Sequence, residues 1–276
     1  MVIADREQVA SDRPEAWAMN FAVSSTLMNA FGALPELHAG EWQTALELAE
    51  VPHLTTAQQR VGFGGEKAED LNKLPVFGRV RVWLGLPAGW VAELGVTPPL
   101  RINGTKASDL IALAVGKRVI DQPAWSLSAR LYGQHGRVEG DITCPAELAG
   151  PFDATSNPFG CVAASSDRIS LNYYGLDLTA AKHADPWAWH ATVGAVRSEP
   201  EVQVDALVFS VRDRSRVLSR SLLPYLAVGA QRSLNARWSV GAEWLYVPLE
   251  VQRTLDSGTE GDPYLGLRLQ VRYALK

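Results

Sequence analysis

The sequence predicts an all-β fold, a transmembrane antiparallel up-and-down β-barrel of about twelve strands, with ten as the alternative. Three observations predict it. Apolar and polar residues alternate with period 2 in segment after segment, which is the signature of strands with two unlike faces. Tight turns alternate along the chain with long polar loops. Tryptophan follows within two residues of four of the tight turns, at Trp90, Trp125, Trp187 and Trp238.

Taken in order, residues 1–16 read as an N-terminal periplasmic segment, and residues 17–276 as a single barrel domain. Weak strands begin near Trp17 and Trp42. A further candidate, Gln59-Arg60-Val61-Gly62-Phe63, carries little alternation. Val80, Val82, Leu84 and Leu86 then alternate with Arg79, Arg81, Trp83 and Gly85, up to the turn Leu86-Pro87-Ala88-Gly89. Trp90, Ala92, Leu94 and Val96 alternate with Val91, Glu93, Gly95 and Thr97. A weak strand starts near Leu110 and ends at the turn Ile120-Asp121-Gln122-Pro123. The next places Trp125, Leu127, Ala129 and Leu131 opposite Ser126, Ser128, Arg130 and Tyr132.

A long loop covers 141–167, a weak strand follows near Ile169, and His183-Ala184-Asp185-Pro186 makes the next turn. Trp187, Trp189, Ala191 and Val193 alternate with Ala188, His190, Thr192 and Gly194. After a second long loop, 197–219, a weak strand begins near Leu222 and turns at Ser233-Leu234-Asn235-Ala236. Trp238, Val240, Ala242, Trp244 and Tyr246 face away from Ser239, Gly241, Glu243 and Leu245. Beyond the loop 253–263 comes the clearest strand, with Leu265, Leu267, Leu269, Val271, Tyr273 and Leu275 on one face. Its other face holds Gly266, Arg268, Gln270 and Arg272. A helix would scatter these arginines among the leucines. Both ends of a bacterial barrel lie at the short-turn side, so the strand number is even. The poor candidate at Gln59–Phe63 then supplies the twelfth strand.

Composition adds limits rather than a function. The chain of 276 residues is 47% hydrophobic and 20% charged, with a net charge of −4, so nothing points to nucleic acid as a partner. No run approaches the ~18 apolar residues of a spanning helix. The densest, Leu222 to Ala230, is interrupted by Pro224 and Gly229. The start, Met-Val-Ile-Ala-Asp-Arg-Glu-Gln, lacks the basic start and apolar core of a signal peptide, so an export signal is expected to have been removed. A soluble sandwich or lipocalin-like barrel would also alternate, but its solvent face is rich in Lys, Glu, Thr and Asp. Here the polar face is rich in glycine and serine instead. Aromatic rings beside four turns suit a membrane interface, where indole sits at the headgroup level.

With these features the chain resembles Gram-negative outer-membrane β-barrel proteins from Trp17 to Leu275, which implies a location in the bacterial outer membrane. The closing strand Leu267-Arg268-Leu269-Gln270-Val271-Arg272-Tyr273-Ala274-Leu275 looks like the C-terminal signal read by the barrel-assembly machinery. That signal usually ends in Phe or Trp, whereas this chain ends in Leu275-Lys276. A looser similarity is to the hydrophobic-compound and fatty-acid transporter barrels. The Asn-Pro-Ala element of that family's N-terminal hatch has no counterpart near the start, since Asn157-Pro158-Phe159 falls in a loop.

No catalytic residue is assigned. Barrel lipid hydrolases place serine two residues after histidine, where the base can activate it. None of the five histidines has Ser at that position, and His53 and His190 have only Thr55 and Thr192. The omptin-type Asp-x-His pair is missing too, because His183 precedes Asp185. Neither a metal cluster nor a cofactor motif is present. Expected lumen-lining charges are Arg79, Arg81, Glu93, Arg130, Glu243, Arg268 and Arg272. They read either as a salt-bridged filling or as the wall of a pore that selects anions. Cys144 and Cys161, 17 positions apart in an external loop, are expected to form a disulfide.

The function expected from these features is passive passage of a small solute by an outer-membrane channel or transporter, with outer-membrane lipids around it and no cofactor. A structural or adhesion barrel with a plugged lumen, or an outer-membrane enzyme, is the alternative. The lumen face carries Gly85, Gly95, Ser126, Ser128, Gly194, Gly241 and Gly266, small residues that would leave wet space inside.

Overall fold

A computed structural model describes residues 1–254 and 256–275. Leu255 in the loop 253–263 and the terminal Lys276 lie outside it. The ten barrel strands are β1 (Trp42–Glu50), β2 (Val76–Gly85), β3 (Trp90–Val96), β4 (Thr105–Asp121), β5 (Trp125–Gly140), β6 (Tyr173–Ala184), β7 (Trp187–Ser198), β8 (Ser221–Ser233), β9 (Trp238–Val247) and β10 (Tyr264–Leu275). Each pairs antiparallel with its chain neighbours, and β10 pairs with β1 to close the cylinder (Val271 opposite Leu46). Closure leaves no strand edge unpaired, as hydrocarbon surroundings require.

The strand number is thus ten, the alternative, and not twelve. Two expected strands are something else. Trp17 belongs to a helix, α1 (Pro14–Ser25), with Pro14 at its first turn and Glu15 near its positive end. It is buried nearly all round, so no period of hydrophobicity marked it. Arg60–Gly62 forms only a two-stranded ribbon with Lys67–Ala68 outside the barrel.

The outward faces follow the alternation. Leu131, Leu176, Trp244, Leu269 and Val271 are exposed, while Leu127 and Leu267 point the same way half-covered by neighbours. A soluble domain would not leave a continuous apolar belt of this size in water. The architecture is that of an outer-membrane barrel. Trp42, Trp90, Trp125, Trp187 and Trp238 each open an ascending strand at the short-turn end, so Trp42 joins the four expected there. No helix among the described residues is long and apolar enough to cross a membrane.

The N-terminal segment lies at the long-loop end, in contrast to the periplasmic placement expected for residues 1–16. Val2–Ile3 pairs with Val211–Asp213, and Arg6–Gln8 pairs with Arg216–Leu218, both in the loop between β7 and β8. Short segments pair in sequence from the top of β5 through Asp167–Ser170 and Glu201–Gln203 to Arg216–Leu218, extending the wall above the barrel. From there α1 dips into the barrel mouth and residues 26–37 descend through the lumen. Gly40 reaches the foot of β2, its N–H bonding the Gly85 carbonyl at 2.9 Å, before β1 begins. The barrel therefore contains an N-terminal plug, although the Asn-Pro-Ala element is missing.

Candidate functional site

The lumen arginines are organised around the plug. An extended backbone inside a closed barrel cannot reach water, so its carbonyls need donors from the wall. Arg79 bonds the Thr26 carbonyl at 2.6 Å and Arg268 that of Leu27 at 2.6 Å. Arg130 bonds Met28 O and Arg81 bonds Asn29 O, each at 2.9 Å. Arg272 holds the Phe31 carbonyl. Outside that set, Arg118 reaches Leu34 O at 2.8 Å. Plug amides are met in the same way: Ala30 N donates to Asp177 Oδ2 at 2.9 Å and Met28 N to the Tyr173 hydroxyl at 2.8 Å.

The same guanidinium groups pair among strands. Arg81 lies 2.5 Å from both Glu47 and Glu93. Arg130 joins Glu93 to Asp177, the latter at 2.8 Å. Glu243 accepts from Asn29 Nδ2 at 2.8 Å and lies 3.0 Å from His190 Nε2. All seven charges expected at the lumen point inward and are buried. What they face is protein, not a water-filled bore.

The small residues behave likewise. A Cβ on Gly95 would lie 2.7 Å from Met28 Sδ, one on Gly241 would lie 2.9 Å from the Phe31 ring, and one on Gly85 would lie 2.1 Å from the His38 carbonyl oxygen. Gly194 accommodates the Tyr225 ring and Gly266 that of Tyr264. Space inferred from missing side chains is taken by the plug and by wall aromatics, which overturns the reading of a wet lumen.

The open space is higher, at the long-loop end. A cavity of about 390 Å³ is bounded on one side by α1 and below by Ser25 and Thr26, where the plug begins. Phe21 and Ala22 of the helix face Leu71, Val138, Ile169 and Leu171 across it. Val138 comes from the top of β5 and Ile169 from the strand beside it, paired in register. The helix is fixed in place by Trp17 Nε1 donating to Asp262 O at 2.8 Å and by Asn20 Nδ2 donating to Ser221 Oγ at 2.9 Å.

Charges ring the upper part of this cavity. Lys73 lies 3.0 Å from both Asp70 and Asp141. Burial works against its charge, but hydrogen bonds to the two carboxylates raise its pKa above the ordinary ammonium value. Glu69 lies 2.8 Å from Lys67. Its burial outweighs the lysine and pushes the carboxyl up to about 7. Cys144 and Cys161 are bonded to each other beside this wall and buried. No group of three or more His, Cys, Asp or Glu that could hold a metal occurs among the described residues.

Sequence reasoning found the lumen charges but missed the plug and the cavity. One signal was available: five arginines on the lumen face against few carboxylates leave donors that require other acceptors.

No family model matches the chain, and no curated protein matches it. Several solved structures are similar in fold at low sequence identity. The outer membrane protease OmpT from Escherichia coli is 10% identical, with 86% of this chain and 94% of that chain covered, at a TM-score of 0.42. The attachment invasion locus protein Ail of Yersinia pestis is 8% identical over 86% and 98%, at 0.32. The toluene transporter TodX of Pseudomonas putida is 13% identical over 100% of this chain and 78% of that one, at 0.33.

Proposed function

We propose that the chain resides in a bacterial outer membrane and passively takes up a small apolar solute, which binds in the cavity above the plug. The observation that carries this reading is the placement of about 390 Å³ of largely apolar-walled space directly over the buried segment that closes the lumen. Concave apolar sites with a few polar groups are where small molecules bind. The plug stops free diffusion of ions and makes the cavity a binding station, not a pore vestibule. Lipids of the outer membrane cover the belt, and the barrel-assembly machinery inserts it.

The test is binding of the neutral dye N-phenyl-1-naphthylamine to the refolded barrel in amphipol. Native protein should bind saturably. Ala22→Phe, which fills the cavity from the helix, and Val217→Phe, which fills it from the opposite wall, should each weaken binding about tenfold. That is the scale of 1–2 kcal/mol lost when an apolar pocket is blocked. Equal binding by all three folded proteins would show that the dye sits elsewhere and would remove the proposal's basis.

A further inference from the structure

Every cation that lines the cavity already has an acidic partner. Arg13 hydrogen-bonds Glu15 through two nitrogens, each at 3.3 Å. Lys73 is held between Asp70 and Asp141. Arg216 lies 3.6 Å from Glu201, a carboxylate it shares with Arg6 at 3.7 Å. Lys67, behind Glu69, is committed to that carboxylate and to the Thr143 carbonyl. Asp167, also on the wall, is satisfied by the amides of Ile142 and Asp205 and by the Ser165 hydroxyl. In contrast, Asp5 and Glu7 line the cavity as exposed carboxylates with no salt bridge among the described residues, Glu7 acting on Arg13 only from beyond contact distance.

A carboxylate head entering this space would meet cations that already hold carboxylates and two exposed like charges, Asp5 and Glu7. Like charges brought into contact repel several times more strongly in the partly desolvated setting of a protein surface than in water. A neutral head avoids this repulsion and an ammonium head reverses its sign. Displacing an existing partner is no escape for the anion, because that strands a buried or half-buried carboxylate such as Asp141.

We infer that the cavity selects apolar molecules with an uncharged or cationic head and rejects the corresponding carboxylates. This rests on the cavity being the binding site proposed above, and it adds the chemical class of the solute. A fatty-acid anion is thereby the wrong ligand, although its chain would suit the apolar wall.

The experiment is competition against bound N-phenyl-1-naphthylamine by octanol, octylamine and octanoate, at pH 7.5 and low salt, with Ala22→Phe as the weakened-site reference. Octanol and octylamine should displace the dye, and octanoate should need at least tenfold higher concentration. The gap should narrow in the double variant Asp5→Asn, Glu7→Gln, and also at 1 M salt, where screening acts within about 3 Å. Octanoate competing as well as octanol or better would overturn the inference while leaving the site intact. Failure of all three to displace dye whose binding Ala22→Phe weakens would overturn the inference, whereas equal dye binding by Ala22→Phe would overturn the proposed site itself.

Discussion

Arg268 and Glu69 mark two different uses of buried charge in this protein. Arg268 sits in the barrel and gives its hydrogen bonds to the Leu27 carbonyl, the Ser24 carbonyl and the Asn29 side chain. Its value lies in satisfying a backbone that has no access to water. Glu69 sits above the barrel, 2.8 Å from Lys67, and burial raises its pKa from 4.5 to about 7. The sign of the linkage follows. Because the folded protein holds this proton more tightly than the unfolded chain, the group's contribution to stability is fully present below pH 4.5. It is lost as the pH rises from there to about 7. Infrared titration of the carboxyl band, assigned with Glu69→Gln, should show a midpoint near 7. A midpoint at the ordinary value would mean that water reaches this carboxyl.

At the scale of elements, the plug and the barrel wall form one hydrogen-bonded unit. The segment after α1 contributes acceptors in succession, and strands β2, β5 and β10 contribute the guanidinium groups that meet them. Selection of anions by these arginines is replaced by a structural role for them. Native barrels in a planar bilayer should accordingly be silent. Arg268→Glu removes the donors to three plug groups and sets a second carboxylate near Glu243, its cross-strand neighbour. Each buried acceptor left without its donor costs about 1–3 kcal/mol. The expected result is a barrel that still folds but shows ionic current steps as the plug loosens. If the folded variant is as silent as the native protein, this clamp does not hold the plug.

At the scale of the whole molecule, the tryptophans divide by depth. Trp42, Trp90, Trp125, Trp187 and Trp238 form a ring at the short-turn end, while Trp189 and Trp244 lie within the apolar belt. Trp17 and Trp83 are inside, with 1% and 2% of their surface exposed, and should escape lipid quenchers altogether. In single-tryptophan variants, lipids brominated near the headgroup should quench the ring set most. Lipids brominated deep in the chain should quench Trp244 most. Uniform quenching of the ring set by deep bromines would contradict an interfacial position and with it the assigned orientation of the strands.

The strand faces can be read residue by residue along the chain, because period-2 alternation is local and a lipid belt imposes it on every strand independently. Leu269 against Arg268, and Trp244 against Glu243, were legible without any knowledge of neighbours. Tight turns and their tryptophans likewise fixed the direction of the strands. What fills the barrel depends on contacts between distant parts of the chain. α1 has no apolar stripe, since the wall surrounds it, and residues 26–37 have no periodicity because their hydrogen bonds go to arginines up to 241 positions away. For the same reason the cavity was invisible: Phe21, Leu71, Val138 and Ile169 come from four separate stretches of chain. The strand number fell between the two levels. Period and parity left ten or twelve, and the choice was made when Trp17 went into a helix at the barrel mouth and Arg60–Gly62 into a ribbon outside the wall, since burial on every side satisfies a helix whose sequence a membrane strand could satisfy on one.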